Sequence, residues 1–373
     1  MDLDSDITAI QACVANRLDA AVISQRQLAG VIGDAPSQYS KSPTLWNAAF
    51  HLLAMNAIYL PFDVEERRLK DFASAIRDSE RTLGINVTVP HKLRIMDYLD
   101  ELDPGAARIQ AVNTIVREKN GRLVGYNTDG EGFAESILKL QPGHAQPFVA
   151  SLKGMNVLLL GAGGSARALA FHITDLLNGG ELMICNRTFE HAVSLAAEIR
   201  KFGADARAIP ETELPTWAAR VGLIVNCTTK GQGSVRKLAD GKVTSMEPYS
   251  ALAPASPVAV PRAEANGAEA ELRRKLMQAS RSEIESNNQA SLTLAAAIPP
   301  TARFCDLIYF PEETVFLRHG RLTAHQTMNG KAMIVNQAVI AFCRRICRAE
   351  LQARRIDNPQ TYRRILEIMY RAW

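Results

Sequence analysis

The sequence lacks an apolar run of the ~20 residues that a membrane-spanning helix needs. Its first residues, MDLDSDITAIQ, are acidic and have neither the basic nor the apolar region of a secretory signal peptide. These two absences exclude a membrane protein and argue against secretion. We therefore expect a cytoplasmic protein with no membrane partner.

Cysteine is scarce and scattered, with six residues in the whole chain. Only Cys343 and Cys347 lie close together, at helical i, i+4 spacing, and no histidine accompanies them at zinc-finger spacing. We therefore expect reduced, mostly buried thiols, with no disulfide framework and no metal.

The chain also has little excess of positive over negative charge, with a net charge of only +4. No basic stripe is interleaved with aromatic residues, which argues against a nucleic-acid partner, whereas a mild positive charge suits acidic small molecules. What is present is typical of a globular protein: 373 residues with 47% hydrophobic and 22% charged residues. This length is enough for two domains of ordinary size.

Periodicity predicts an α/β organisation for the first third of the chain. Residues 5 to 26 have an apolar stripe at helical spacing and are expected to form one amphipathic helix. Strand-like and helical patterns then alternate from Leu28 to about Gly132. The strand candidates are LAGVIG, AIYLPFDV, GINVTV and AVNTIVRE.

A second α/β unit begins at Met155, with NVLLL, ELMICNR and VGLIVNCTT as strand candidates. The stretch 235 to 300 differs from it. Its part ALAPASPVAVPRAEANGAEAE is rich in Ala and Pro and is expected to be a flexible linker or poorly ordered loop. A polar helical piece follows. Strand FCDLIYFP and helix KAMIVNQAVIAFCRRICRAEL complete the pattern.

A dinucleotide fingerprint follows the first strand of this second unit. Gly161, Gly163 and Ala166 form G-x-G-x-x-A between a strand and a helix, which is the context that the Rossmann fingerprint requires. Gly161 permits the tight turn, Gly163 lets the backbone approach a pyrophosphate, and Ala166 is small enough for the helix to pack. A glycine-rich turn that serves only packing is the alternative.

The end of the next strand favours NADP over NAD. An NAD enzyme usually has Asp or Glu there for the ribose hydroxyls, and this chain has Asn186, Arg187 and Thr188 with no acid before Glu190. Arg187 can stack on adenine and pair with a 2′-phosphate. On this residue alone, an exposed arginine after a strand is an equally simple interpretation.

Polar residues also mark the strand ends of the first unit. In GINVTVPHKL, Asn86 and Thr88 share one face of an extended strand, and Lys92 follows at its exit, where α/β folds bind their ligands. Asn113 and Asp129 lie in AVNT and GYNTDGEG. Each residue alone has a simple structural explanation, as a turn former or a solvated lysine. Together, beside a dinucleotide unit, they indicate a substrate site.

The polar segments come in the order VIGDAPSQYSKSP, GINVTVPHK, AVNTIV, GYNTDGEGF, LLLGAGGSARALA, CNRT, VNCTTKG, DLIYFPEETVFL and NGKAMIVNQA. This series resembles the shikimate dehydrogenase family and covers most of residues 28 to 345. The resemblance implies two α/β domains, an N-terminal substrate domain and a Rossmann-like NADP-binding domain, with a cleft between them. It implies the reversible reduction of 3-dehydroshikimate to shikimate with NADPH, in aromatic amino acid biosynthesis.

The resemblance also assigns roles by position. Lys92 and Asp129 match the family's catalytic pair. Substrate-binding positions are Ser40, Ser42, Asn86, Thr88, Asn113, Tyr309 and Gln337. Cofactor-binding positions are Gly161, Ala162, Gly163, Gly164, Ser165, Ala166, Asn186, Arg187, Thr188, Asn226, Thr228 and Gly330. A lysine beside a carboxylate can protonate the oxyanion that hydride addition creates.

The expected domains are residues 1–131 with 331–373 for substrate, including an N-terminal helical extension over 1–27, and residues 132–330 for NADP. Stretch 235–300 is an insertion relative to the family. Three roles are expected for this insertion: a disordered surface loop, a lid over the nicotinamide, or a segment that carries a partner-binding helix. The oligomeric state is expected to be a monomer or homodimer.

Three alternative functions remain open from the sequence. Tyr39 stands where the family usually has His, so the substrate can be quinate or another shikimate analogue. A non-catalytic binding or regulatory protein on the same scaffold is a second alternative, although the retained Lys92 and Asp129 argue against it. A methylene-tetrahydrofolate dehydrogenase-like enzyme is the third, and the paired serines fit a small hydroxy acid better.

Overall fold

The computed structural model describes residues 5–23, 25–233, 235–238, 240–261 and 269–373. The strands are β1 Gln27–Gly33, β2 Ala57–Asp63, β3 Thr82–Val87, β4 Glu101–Leu102, β5 Thr114–Arg117, β6 Leu123–Tyr126, β7 Val157–Leu160, β8 Leu182–Cys185, β9 Ala206–Ile209, β10 Leu223–Asn226, β11 Val235–Lys237, β12 Lys242–Ser245, β13 Val260–Pro261, β14 Arg303–Asp306 and β15 Gln326–Met328. The helices are α1 Ser5–Cys13, α2 Ala20–Ile23, α3 Pro36–Tyr39, α4 Ser42–Leu52, α5 Leu69–Asp78, α6 Pro104–Ile109, α7 Asp129–Leu138, α8 Gly164–Leu177, α9 Phe189–Lys201, α10 Leu214–Ala218, α11 Glu269–Ala279, α12 Arg281–Ala297, α13 Val315–Leu322, α14 Lys331–Ile340, α15 Arg348–Ala353 and α16 Pro359–Arg371.

The chain divides into two compact units, one of residues up to Pro147 with Met333–Trp373, the other of Phe148–Ala332. The first unit extends past the expected boundary at 131, because α7 belongs to it. The position of a Cβ on Gly132 of α7 would lie 2.5 Å from Cβ of Gln337, so α7 packs directly on α14. Both units are α/β, as the sequence predicts.

The first unit is built on a mixed sheet with the strand order β2-β1-β3-β5-β6-β4. Strand β1 is parallel to β2 and β3, whereas β5 is antiparallel to both of its neighbours. Leu28 and Ile32 of β1 pack into one apolar cluster, and Ala29 and Val31 pack into another on the opposite face. Because both faces are covered, the strand is apolar almost throughout.

The second unit has an all-parallel sheet in the order β15-β14-β10-β7-β8-β9. Every residue of β7, β8 and β10 is buried, in agreement with the short apolar runs in their sequences. This order places the loop after β7 beside the loops after β8 and β10, at the carboxyl edge where such sheets bind nucleotides.

Insertion 235–300 has more structure than its composition predicts. Strands β11, β12 and β13 form an antiparallel sheet, and Leu272 and Leu276 of α11 pack against Val243. The expected linker, residues 251–271, is held in place at its start. The amide of Asn287 hydrogen-bonds backbone groups of Ser250 and backbone carbonyls of 253 and 254. Residues 262–268, also expected to be a loop, lie outside the described residues.

The N-terminal segment is not the single helix expected over residues 5 to 26. It forms α1 and α2 with an irregular stretch between them, although Ile7 and Ile10 are buried as the apolar stripe predicts. Within the break, the Gln11 side chain accepts a hydrogen bond from Leu18 N, at 2.7 Å, and the residues between the two helices also hydrogen-bond strand β2. Side-chain hydrogen bonds of this kind compete with the helical ladder.

The predicted C-terminal helix over 331–351 is likewise interrupted, by a π-helical turn at Ala341–Ile346 between α14 and α15.

All six cysteines are free, and burial raises the pKa of Cys185 to about 12. Over the residues that the structure describes, no helix combines the length and apolarity needed to cross a membrane.

Candidate active site

Lys92 and Asp129 form an ion pair in the first unit, with 2.5 Å between Lys92 Nζ and Asp129 Oδ2. Lys92 follows β3, and Asp129 is the first residue of α7. Their side chains are 16% and 6% exposed, so the pair is sheltered while the ammonium keeps some access to solvent. An ammonium held this way can give up a proton to a ligand placed beside it.

Asn113 fixes the other oxygen of Asp129. Its Nδ2 donates to Asp129 Oδ1 at 2.8 Å and to Thr128 Oγ1 at 3.0 Å, and its Oδ1 accepts from the Thr128 backbone N–H at 2.8 Å. One oxygen of the Asp129 carboxylate therefore accepts from the Asn113 amide, and the other accepts from the Lys92 ammonium. This arrangement leaves Asp129 little freedom to rotate away from Lys92.

Asn86 links this centre to the helix that bears Ser42. Its Nδ2 donates to Thr114 Oγ1 at 3.0 Å, and its Oδ1 accepts from the Tyr59 hydroxyl at 2.8 Å. Ser42 hydrogen-bonds the same Tyr59 hydroxyl. Burial raises the pKa of Tyr59 well above its ordinary value, so the hydroxyl stays protonated and can donate.

The other expected substrate residues of the first unit lie on β3, α4 and α14 or beside them. Ser40 Oγ accepts from the Ser42 backbone N–H at 3.2 Å, where α4 begins. Thr88 follows β3 and is half-buried. The hydroxyl of Thr128 lies 3.4 Å from Oε1 of Gln337 on α14. The structure thus links Ser40 to Ser42 and Gln337 to Thr128, which is bonded to Asn113.

The phosphate loop lies at the start of α8 in the second unit. Gly161 has a φ of +112°, and a Cβ there would meet Cys227 and Thr228 at 3.2 Å, so this position favours glycine. A Cβ on Gly163 or Gly164 would meet nothing within 4 Å. These two residues are exposed with open space beside them, at a helix N-terminus whose N–H groups suit a phosphate.

The rest of the loop matches the fingerprint. Ser165 is half-buried in the first turn of α8, and Ala166 is buried where the helix packs. The backbone N–H of Ala162 donates to Asn186 Oδ1 at 3.1 Å. Asn186 therefore ties the phosphate loop to the segment after β8.

That segment also carries the cofactor-selecting residues. Asn186 Nδ2 donates to the Thr188 backbone carbonyl at 2.8 Å, which holds the turn. Arg187 is exposed and has no carboxylate partner in the described part of the chain. An exposed guanidinium without an acid partner is available for a phosphate.

The loop after β10 is shaped by Asn226, which is fully buried. Its Nδ2 donates to Asp306 Oδ1 and to the Lys230 carbonyl, both at 3.0 Å, and its Oδ1 accepts from Thr228 Oγ1 at 2.7 Å. Asn226 therefore shapes the loop that contains Thr228, and its assignment to the cofactor site stays a prediction. Thr228 in turn lies against Gly161.

Gly330 and Tyr309 complete the second unit's candidates. A Cβ on Gly330 would lie 2.0 Å from the Leu307 carbonyl oxygen, so this glycine permits a close backbone approach. Tyr309 is half-buried, and burial raises its pKa. Across the described residues, no group of three His, Cys, Asp or Glu is placed to hold a metal.

Sequence reasoning missed Tyr59, the link between Ser42 and Asn86. Its only sequence signal is a tyrosine on a predicted strand, whose hydroxyl must find a partner when the ring is buried. It also missed Thr128, which accepts from Asn113 and lies beside Gln337. Thr128 stands directly before Asp129, within the segment quoted for the resemblance.

Comparisons with known proteins identify the family. Residues 31–115 match the shikimate dehydrogenase substrate binding domain, and residues 144–262 match shikimate / quinate 5-dehydrogenase. Shikimate dehydrogenase (NADP(+)) of Desulforamulus reducens is 35% identical over 320 residues, which are 85% of this chain and 88% of that protein.

Solved structures show the same fold. Shikimate 5-dehydrogenase from Listeria monocytogenes, in complex with shikimate and NAD, has a TM-score of 0.64 and 25% identity, covering 88% of this chain and 94% of that one. The Thermus thermophilus enzyme, in complex with NADP(H) and shikimate, has a TM-score of 0.58 and 27% identity, with 93% and 99% covered. The chain therefore belongs to the shikimate dehydrogenase family.

Proposed function

We propose that this protein catalyses the NADP-dependent, reversible reduction of 3-dehydroshikimate to shikimate. The family assignment confirms the oxidoreductase activity and the NADP cofactor expected from the sequence. One structural observation supports the chemistry above all others: the 2.5 Å pair of Lys92 and Asp129, with the second carboxylate oxygen held by Asn113.

Lys92 is the proton donor in the reduction. Hydride addition to a ketone leaves negative charge on the carbonyl oxygen, and an adjacent ammonium both stabilises that charge and supplies the proton. In the reverse direction the neutral amine accepts the hydroxyl proton. Asp129 keeps Nζ in place, and Asn113 keeps Asp129 in place, so the donor is oriented before the substrate arrives.

The substrate is bound by the polar residues around this pair. Ser40 and Ser42 bind its carboxylate through their hydroxyls. Asn86, Thr88, Asn113 and Gln337 bind its ring hydroxyls, and Tyr309 lies near the substrate. A site built to hydrogen-bond hydroxyls discriminates strongly against analogues that lack them.

The second unit fits a dinucleotide phosphate. The exposed N–H groups at Gly163 and Gly164, with open space beside them, would hold the pyrophosphate, and the acid-free Arg187 would hold a 2′-phosphate with Thr188. The bound cofactor supplies the hydride. Asn186 connects these two elements, so the phosphate loop and the 2′-phosphate site are positioned together.

Initial rates of nicotinamide reduction test the proposal. Shikimate and quinate are each tested with NADP and with NAD. We expect fast turnover of shikimate with NADP. Fast turnover of quinate alone would reassign the substrate, with Tyr39 as the first residue to exchange. Turnover of neither acid, with NADP bound, would contradict the proposed activity.

Lys92→Ala tests the catalytic assignment. We expect the fold and NADP binding to remain while kcat falls by about 10²- to 10⁴-fold, the usual contribution of a general acid. Lys139→Ala is the matched control, because Lys139 is also ion-paired, with Glu135 on α7, but is 59% exposed. Turnover of Lys92→Ala close to wild type would refute the assignment.

A cytoplasmic location and a monomeric or homodimeric state belong to the same proposal. Sedimentation of the purified protein over a range of concentrations tests the oligomeric state. A larger assembly would contradict this part of the proposal.

A further inference from the structure

The segment between α1 and α2 pairs with the edge strand β2 near its carboxyl end. The Ala15 backbone N–H donates to the Asp63 carbonyl at 2.8 Å. Asn16 Oδ1 accepts from the Asp63 backbone N–H at 2.7 Å, and Asn16 Nδ2 donates to the Pro61 carbonyl at 3.0 Å. Because β2 is an edge strand of the sheet that the structure describes, these groups face away from its neighbour β1.

Asn16 is itself held in place. Gln11 Nε2 donates to the Asn16 carbonyl at 3.1 Å, and Gln11 Oε1 accepts from Leu18 N. Ile7 and Ile10 of α1 belong to the apolar cluster of the first unit. The N-terminal segment is therefore packed on β2. We call the hydrogen bonds of Ala15 and Asn16 with Pro61 and Asp63 the clamp. The N-terminal segment lies outside the region matched by the family model, which begins at residue 31.

The clamped residue Asp63 fixes helix α3 through its carboxylate. Oδ1 accepts from the Ser37 backbone N–H at 2.9 Å, and Oδ2 accepts from Ser37 Oγ at 2.5 Å. Asp63 is only 8% exposed. Ala35, at the N-cap of α3, has no side chain that could cap the helix, so Asp63 supplies the cap from another element.

Helix α3 leads directly to the two serines. It has only four residues, and the Ser40 backbone N–H donates to the Pro36 carbonyl at 2.9 Å, which closes its last turn. A helix this short is not stable by itself. Ser40 Oγ then accepts from the Ser42 backbone N–H. Asp63 therefore holds the first turn of α3, and Ser40, at the end of α3, is hydrogen-bonded to Ser42.

We propose that Asp63, clamped by Asn16 of the N-terminal segment, is a positioning residue for Ser40 and Ser42, the hydroxyls that receive the substrate carboxylate. This inference rests on the proposed function for the roles of the two serines. Two hydroxyls bind one carboxylate well only when both are oriented beforehand. Loss of the clamp therefore weakens substrate binding and leaves the proton donor intact.

Three variants test the proposal kinetically. Asp63→Ala and Asn16→Ala are expected to raise the KM for shikimate, the former about tenfold, which corresponds to about 1.4 kcal/mol. The KM for NADP and kcat at saturating shikimate are expected to stay within about twofold of wild type. Asp63→Asn keeps an oxygen that can accept from Ser37 N, so it is expected to restore part of the affinity.

Asn56→Ala is the matched control. Asn56 also holds a backbone carbonyl of the preceding segment, that of Gln25 at 3.0 Å, but at the amino end of β2. We expect its shikimate KM to remain that of wild type. Equal increases for Asn16→Ala and Asn56→Ala would show a general loss of stability and overturn the proposal, as would a fall in kcat with no change in KM.

Hydrogen exchange of the backbone amides at residues 37–42 gives a readout that needs no substrate. We expect faster exchange in Asp63→Ala and Asn16→Ala, and wild-type exchange in Asn56→Ala. Unchanged exchange in Asp63→Ala would overturn the proposal that the Asp63 carboxylate holds α3. If the wild-type protein turned over neither acid, the proposed function would fail, and this measurement would still decide whether Asp63 holds α3.

Discussion

Asp306, at the end of β14, makes the stability of the second unit depend on pH. Its carboxyl is fully buried, and burial raises its pKa from 3.8 to about 7. Hydrogen bonds from Thr314 Oγ1, the Ile308 backbone N–H and Asn226 Nδ2 act in the opposite direction without outweighing burial. No basic side chain of the described residues pairs with it.

The sign of the pH effect follows from this raised pKa. Between about pH 4 and pH 7 the folded protein keeps a proton on Asp306 that the unfolded chain releases. The free energy of unfolding therefore falls as the pH rises through this range. Because the pKa of Asp306 rises from 3.8 to about 7, the free energy of unfolding falls by about 4 kcal/mol over this range, and the fall is complete above pH 7.

Asp306→Asn removes this dependence with little change of shape. The amide oxygen can still accept from Asn226 and Ile308, and the new N–H can donate to the Thr314 hydroxyl. Relative to wild type, the variant is expected to become more stable as the pH is raised from 5 to 8, by about 3 kcal/mol, because the part of the effect below pH 5 lies outside this range.

Urea unfolding of both proteins at several pH values between 4.5 and 8 measures this difference. Asp205→Asn is the control, because Asp205 is an exposed acid of the same unit, before β9. Its unfolding profile is expected to run parallel to that of wild type. If the Asp306→Asn profile were parallel as well, Asp306 would not carry the proton, and the reasoning from its burial would be refuted.

Three further substitutions test packing and cofactor selection. Gly132→Ala places a Cβ 2.5 Å from that of Gln337, so we expect a loss of about 1–3 kcal/mol, seen as a lower Tm, and a reduced kcat because α7 must move with Asp129. Arg187→Ala is expected to raise the KM for NADP about tenfold and leave the KM for NAD unchanged, since only NADP carries the 2′-phosphate; equal increases would contradict the assignment. Gly330→Ala brings a Cβ to 2.0 Å from a backbone oxygen, so we expect a clearly lower Tm, and an unchanged Tm would contradict the close approach.

Local patterns in the sequence predicted the second unit well. The runs NVLLL, ELMICNR and VGLIVNCTT contain β7, β8 and β10, with differences of a few residues at the ends. These strands are visible because parallel strands are buried on both faces and are therefore apolar throughout. The phosphate loop is predictable for a similar reason, since the strand, the glycines and the helix are contiguous in the chain.

Features that depend on distant partners were not predictable. The composition of residues 251–271 predicted a linker or loop. Asn287, far along the chain, holds the start of this stretch in place. Helical spacing predicted one N-terminal helix, and the pairing of Ala15 and Asn16 with β2 favours an irregular turn instead. In each case a hydrogen bond from another element satisfies backbone groups that a local pattern cannot assign.

The active-site edge shows why the residues, but not their arrangement, could be read from the sequence. Asn86 is near the end of β3, Asn113 directly precedes β5, and Asp129 follows β6. In an all-parallel sheet, residues before and after strands lie at opposite edges. Here β5 runs antiparallel to both neighbours, and Thr114 is paired with Asn86 on one side and Tyr126 on the other. The reversed strand brings the start of β5 to the edge where β3 and β6 end, and this places the Asn113 amide on the carboxylate that holds Lys92.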